Sequence, residues 1–317
     1  MIKIYNTDQE TNEYKEITEY KDGSWINMID PTEKEIEEVC SKLQIQQDFI
    51  RYSLDNEEKA RIDYEEDDDT VLFIMDVPVK EKEQDREIYT TMPIGIVVVR
   101  DDFIITVSLK EQEIIQSIIS GKTKGFATYK KSRFILQLMY KNASSYLNYL
   151  KQINKETEAA ELRLKESMKN QELLKLLDLE KSLVYIITSL RANEAVMERT
   201  IKIKNIKLYE EDEDILEDAI IENKQAIEMS KIYKDVLDSS MDAYSSMISN
   251  NLNEVMKLLT SITIIISIPT LIASLWGMNV EVPFEVQKYG FWILCIIAFI
   301  VTAVTIQILN KKGLLGK

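Results

Sequence analysis

The sequence predicts an α+β membrane protein, with an N-terminal α/β cytoplasmic domain, a long helical stalk and two C-terminal transmembrane helices. Three observations predict it. Short β-rich runs bounded by turn residues fill the N-terminal third. Leu, Lys, Glu and Ala at helical spacing fill the middle. Two uncharged runs, Leu258–Val280 and Tyr289–Asn310, close the chain, and each exceeds the ~20 apolar residues that cross the hydrocarbon as a helix.

The elements follow in order. Ile2–Tyr5, Trp25–Ile29, Val71–Val77, Ile94–Val99 and Phe103–Val107 are rich in β-branched and aromatic residues and read as strands. Thr32 precedes a helical run to about Leu43, and Glu35 stands three residues on, the spacing of a capping box. Asp101-Asp102 reads as a hairpin turn between the last two strands. From Glu111 the β signal disappears. Residues 127–206 contain neither Pro nor Gly and fit two long antiparallel helices that break near Met168–Gln171. From about Glu211 to Trp276 the only helix breaker is Pro269. One continuous helix of that length would measure roughly 100 Å at about 1.5 Å per residue, which suits a stalk that feeds a membrane span. The expected divisions are 1–125 for the α/β domain and 126–206 for the antiparallel helices. The stalk takes 207–255, the first transmembrane helix 256–279 and the external loop 280–288. The second transmembrane helix takes 289–310, and 311–317 form a basic cytoplasmic tail.

Charge and composition narrow the partners. The chain carries 54 acidic and 39 basic residues, a net charge of −15. That argues against nucleic acid, which needs a basic face, and suits attraction of cations. There is no histidine, and of the two cysteines Cys40 falls in a soluble helix and Cys295 in a membrane run. Ordinary zinc or copper sites need imidazole or thiolate, so a metal handled specifically is expected to be hard and oxygen-liking, as Mg²⁺ is. Histidine-based acid–base chemistry is excluded. The N-terminus lacks an apolar signal-like stretch. Lys257 precedes the first span, and Lys311, Lys312 and Lys317 follow the second. Positive flanks stay inside, so a plasma-membrane protein with both termini cytoplasmic is expected.

The first span carries a stripe. Thr260, Thr263, Ser267, Thr270 and Ser274 recur in steps of 3, 4, 3 and 4, which puts all five on one helical face. Isolated hydroxyls in membrane helices bond back to their own carbonyls or pack between helices. Five in phase, continued below the membrane by Met256 and Asn253, point instead to a wet lumen. One chain supplies one stripe, so a pore requires a symmetric homo-oligomer. A lumen without charge cannot strip a divalent ion of its water, and Mg²⁺ dehydrates reluctantly. The stripe therefore points to a hydrated cation.

At the end of this helix stand Gly277-Met278-Asn279. This tripeptide, with the short loop and second span after it, resembles the signature of the CorA-type magnesium channels. Ser249–Lys257, Pro269–Trp276 and Trp25-Ile26 to Asp30-Pro31-Thr32 resemble the family too, so the similarity spans nearly the whole chain. The resemblance implies a homopentameric funnel in the lipid bilayer. Gly277, Met278 and Asn279 would form the selectivity filter, and Thr270 the next level. Asn253 and Met256 would line the cytoplasmic neck. Mg²⁺ would be both cargo and regulator, the regulatory ion lying between subunits at Asp218. Its partner carboxylate would come from the neighbouring α/β domain, with Asp67 and Asp68 as candidates. Trp276 stands where the family more often has Tyr. Ser267 stands where some members have a large apolar residue, which leaves Met256 and Leu259 as candidates for the hydrophobic constriction. Glu281 and Glu285 in the external loop would concentrate cations at the mouth. A transporter of Co²⁺, Ni²⁺ or Zn²⁺ with the same fold is the alternative, and a non-conducting membrane scaffold the second. An enzyme is not expected, since no nucleophile has a placed partner.

Overall fold

The computed structural model describes the chain apart from residues 66–68, 84–85, 101, 122, 124, 168–169, 201–209, 281–282, 284–287 and 316–317. Two compact units divide it, Met1–Asp238 and Ser239–Lys317.

In the first unit, β1 (Ile2–Thr7), β2 (Tyr14–Ile17), β3 (Ser24–Ile29), β4 (Arg61–Glu65), β5 (Thr70–Glu83), β6 (Arg86–Val99) and β7 (Phe103–Ser108) form one sheet in the order β2-β1-β3-β7-β6-β5-β4. Only the β3–β7 pairing is parallel. Alternation along the strands feeds two cores. Leu72, Ile74, Val97 and Ile105 face helix α1 (Glu33–Leu43) through Ile36, Val39 and Leu43. Phe73, Met75, Ile94 and Ile96 face the other way. They meet α3 (Glu113–Ile119), α4 (Lys131–Ser167), α5 (Asn170–Thr200) and the start of α6 (Glu210–Trp276) through Ile114, Phe134, Val196 and Leu216. A four-residue α2 (Asp48–Arg51) and a 3-10 turn, Tyr52–Leu54, follow α1.

The capping box forms as the sequence predicts. Thr32 Oγ1 accepts from the Glu35 N–H at 3.4 Å, and the Glu35 carboxylate accepts from the Thr32 N–H at 2.8 Å. Helices α4 and α5 run antiparallel, because Arg163 pairs with Glu172 at 3.0 Å and Glu156 with Lys175 at 3.2 Å. Of the hairpin turn expected at Asp101-Asp102, Asp101 lies outside the described residues, and β6 and β7 pair up to Val99↔Phe103.

Two strands escape the sequence reading. Strands β2 (YKEI) and β4 (RIDYE) lie at the sheet's edges, where charged residues are tolerated and alternation fades. Strands β5 and β6 also run to 14 residues each, well past the expected Val71–Val77 and Ile94–Val99. Charge and two prolines hide the extension. The prolines are accommodated because Asp76, opposite Pro93, turns its backbone groups away from β6. Its N–H donates to Asn193 Oδ1 at 2.9 Å. Its carbonyl accepts from Asn193 at 2.8 Å, Asn142 at 2.7 Å and Tyr146 at 3.1 Å. A proline at a position that owes the ladder no N–H costs it nothing. Pro78, two residues on, shares that parity.

The second unit contains the last part of α6, the turn after Trp276, α7 (Gly290–Lys311) and a short C-terminal turn. Pro269 lies inside α6. Both helices are long and apolar enough to cross a membrane. They expose large side chains, such as Leu271 and Phe299, that water would not tolerate as a continuous surface.

Candidate ion pathway

Helix periodicity brings the stripe together. Thr263, Ser267, Thr270 and Ser274 line one groove on α6. Asn253, Met256 and Thr260 line a second, nearer the start of the helix. Leu259 is exposed but is not among the residues that line either groove.

Three of the five stripe hydroxyls do bond back. Thr260, Thr263 and Thr270 donate to the carbonyls of Met256, Leu259 and Ile266 at 2.7, 2.9 and 2.9 Å. The consequence is chemical. A hydroxyl has one proton and two lone pairs, and here the proton is spent inside the helix. All five stripe side chains are exposed on the chain, so the three threonines present acceptors outward.

The tripeptide begins where α6 ends, one residue after Trp276. The Gly277 N–H donates to the Ala273 carbonyl at 2.9 Å, closing the last turn, and the Val280 N–H returns to Met278 at 2.9 Å. Trp276 Nε1 donates to the Pro283 carbonyl at 3.2 Å and ties the following loop to the helix end. Gly277, Met278 and Asn279 are all exposed. A Cβ on Gly277 would meet only helix carbonyls, the nearer at 3.4 Å, which is ordinary contact. Among the described residues, nothing within one chain therefore demands glycine there.

Of the regulatory candidates, only Asp218 falls among the described residues. Asp218 lies exposed on α6. Asp67, Asp68, Glu281 and Glu285 lie outside the described residues. Among the described residues, no group of three or more acidic or thiol side chains is placed to hold a metal ion. The start of α6 is instead anchored by Asp212, 1% exposed, which accepts from Arg133 Nε at 2.8 Å.

Sequence reasoning passed over Ser261. It falls out of phase with the stripe. It is the one buried residue among those described between Tyr244 and Gly290. Its hydroxyl lies 2.8 Å from the Lys257 carbonyl and 2.9 Å from the Leu314 carbonyl. The signal available was a sixth hydroxyl on the opposite side of the helix.

An α/β domain and two helices long and apolar enough to cross a membrane, the first of them 67 residues long, define a two-span membrane protein. The chain belongs to the family of CorA-like Mg²⁺ transporter proteins, whose pattern matches residues 20–311. This is a family of transporters, not of enzymes. The chain is 28% identical over 295 residues to the cobalt/magnesium transport protein CorA of Methanocaldococcus jannaschii, covering 91% of this chain and 90% of that one. It also resembles the complete structure of the CorA magnesium transporter from that organism, with a TM-score of 0.81 at 26% identity over 97% and 96% of the two chains. The full-length CmaX protein shares the fold alone, with a TM-score of 0.67 at 12% identity over 98% of this chain and 96% of that one.

Proposed function

We propose that this chain is the subunit of a homopentameric channel that conducts hydrated Mg²⁺ passively along the membrane potential. The observation that carries the reading is the row of outward hydroxyl acceptors that leads to Asn279. The waters around a cation turn their hydrogens outward, and a wall of lone pairs accepts them without displacing them from the ion. Such a wall suits Mg²⁺, which keeps its waters. Five Asn279 amides around an axis would hold the hydrated ion at the outer mouth. Gly277, which no contact among the described residues explains, would allow close approach of neighbouring copies. The neck would fall at Asn253 and Met256. The driving force is ample, because an inside-negative potential contributes about 2.3 kcal/mol per charge per 100 mV, hence about 4.6 kcal/mol for a divalent ion.

Gating follows from electrostatics. Acidic side chains brought together between subunits repel one another. Bound cytoplasmic Mg²⁺ bridges them and holds the stalks closed, and its loss lets them separate. Asp218, exposed on α6, supplies one carboxylate of a site shared between subunits. Both termini lie in the cytoplasm on this reading. The test is Mg²⁺ flux into liposomes. Asn279→Ala should lose flux, and retained flux would remove Asn279 from the filter, whereas a wild type that passes no Mg²⁺ would return the chain to a scaffold role. Asp218→Ala should conduct at internal Mg²⁺ concentrations that shut the wild type, and unchanged shut-off would remove Asp218 from the gate. A purified assembly near five times 36.8 kDa is expected. Co²⁺ competition decides the second reading, which the cobalt/magnesium relative favours.

A further inference from the structure

We propose that the C-terminal turn is a latch on the pore helix, switched by which of two carbonyls takes the single Ser261 proton. The inference rests on the conducting role argued above. Helix α7 ends in a bend built on Gly313, whose φ of +66° is the left-handed conformation that glycine adopts freely. The Gly313 N–H returns to the Asn310 carbonyl at 2.9 Å and the Leu314 N–H to the Leu309 carbonyl at 3.0 Å. This pair of bonds is the Schellman closure of a helix C-terminus. It turns the Leu314 carbonyl to within 2.9 Å of Ser261 Oγ on α6, a contact across 53 residues.

Ser261 is 1% exposed and Leu309 7% exposed, while the residues around them on both helices are largely open. The contact is thus where the C-terminal end of α7 is fastened to α6. Its neighbours are the neck candidates, since Met256 and Thr260 line the same groove as Ser261 and Leu314.

A hydroxyl donates one proton, and two carbonyls stand within reach. When the proton goes to Leu314, the turn is docked. When it goes to Lys257, Ser261 bonds as Thr260, Thr263 and Thr270 do, and the turn is free. Release therefore loses no hydrogen bond on α6, and water satisfies the freed Leu314 carbonyl. The exchange is a two-state element of low cost, placed one residue from Thr260. Docked, it fixes the setting of α6 at the neck. Released, it lets the neck move. The net worth of one hydrogen bond corresponds to an about two- to tenfold shift in that balance per subunit.

Two full-length variants test it. Ser261→Ala removes the donor. Gly313→Val strains the bend, and among the described residues nothing lies within 4 Å of a Cβ built there. Each should raise Mg²⁺ leak about two- to tenfold at an internal Mg²⁺ that closes the wild type. The double variant should leak no more than the single ones, because both act through one contact. Leak at the wild-type level in both single variants, or additive leak in the double, overturns the latch. Amide hydrogen exchange decides docking independently of conduction. Ser261→Ala should speed exchange at Gly313 and Leu314, and unchanged exchange there refutes the contact. Faster exchange with unchanged leak removes the link to the neck. If wild-type liposomes pass no Mg²⁺ at all, the conducting role fails, and exchange alone judges the latch.

Discussion

Replacing Asn193 by alanine should destabilise the α/β unit by about 1.5–4.5 kcal/mol. Asn193 is fully buried on α5, and its amide pairs with both backbone groups of Asp76. It thereby does for β5 what another strand would do. In the alanine variant the Asp76 carbonyl keeps Asn142 and Tyr146, at 2.7 and 3.1 Å, so that side loses about 0.5–1.5 kcal/mol, the net value of one bond. The Asp76 N–H keeps no partner that the structure shows, and an unsatisfied buried donor costs about 1–3 kcal/mol. Together these give the stated range. Urea unfolding of the segment 1–238 provides the assay. Trp25, fully buried in the core, is that segment's only tryptophan and reports global unfolding. With an m-value of about 2–3 kcal/mol/M the midpoint should fall by about 1 M. A midpoint for the alanine variant within about 0.2 M of wild type would refute the account of the sheet edge.

Two further predictions concern the same unit. Gly95 on β6 leaves no room for a side chain, since a Cβ there would lie 1.7 Å from Ser53 Oγ and 2.5 Å from Ser53 Cβ. Gly95→Ala should therefore cost about 1–3 kcal/mol by overpacking, and Ser53→Gly in the same chain should recover part of it. Equal midpoints for the single and double variants would show that Ser53 is not the obstacle. Glu156 joins three elements, accepting from Tyr89 at 2.6 Å and pairing with Lys80 at 3.4 Å and Lys175 at 3.2 Å. Burial opposes its ionisation, but Tyr89, Lys175 and Lys80 outweigh burial and hold its carboxyl below the usual glutamate range. A folded-state pKa below the unfolded one stabilises above the unfolded value, about 4.3, and that contribution fades as pH falls through the folded value. Wild type should thus exceed Glu156→Gln in urea midpoint at neutral pH, and the gap should close below about pH 4. A gap of the same size at both pH values would mean that the charge contributes nothing.

The legible parts share a property. The capping box at Thr32 and Glu35, the stripe from Thr260 to Ser274 and the two apolar runs are each set by residues a few places apart. Helical period and chain composition suffice to read them. The unread parts join distant residues. Strands β2 and β4 carry no local signal, and their place at the sheet's edges comes from pairing with β1 and β5. Pro78 and Pro93 argued locally against long strands, and only Asn193, 117 residues from Asp76, shows why those strands persist. The out-of-phase Ser261 reads locally as one more hydroxyl that bonds back to its helix.

By itself, then, the sequence determined that this is a two-span membrane protein of the CorA-like family, with a row of hydroxyls leading to Gly277-Met278-Asn279. Apolar length and helical phase are properties of contiguous chain, so they need no folding to be read. The tertiary structure decided where the hydroxyl protons go, what completes the edge of β5, and that the end of α7 fastens to α6 at Ser261. Each of these depends on a hydrogen bond whose partner is chosen by geometry, and a donor's sequence neighbours do not say which acceptor the fold will bring to it.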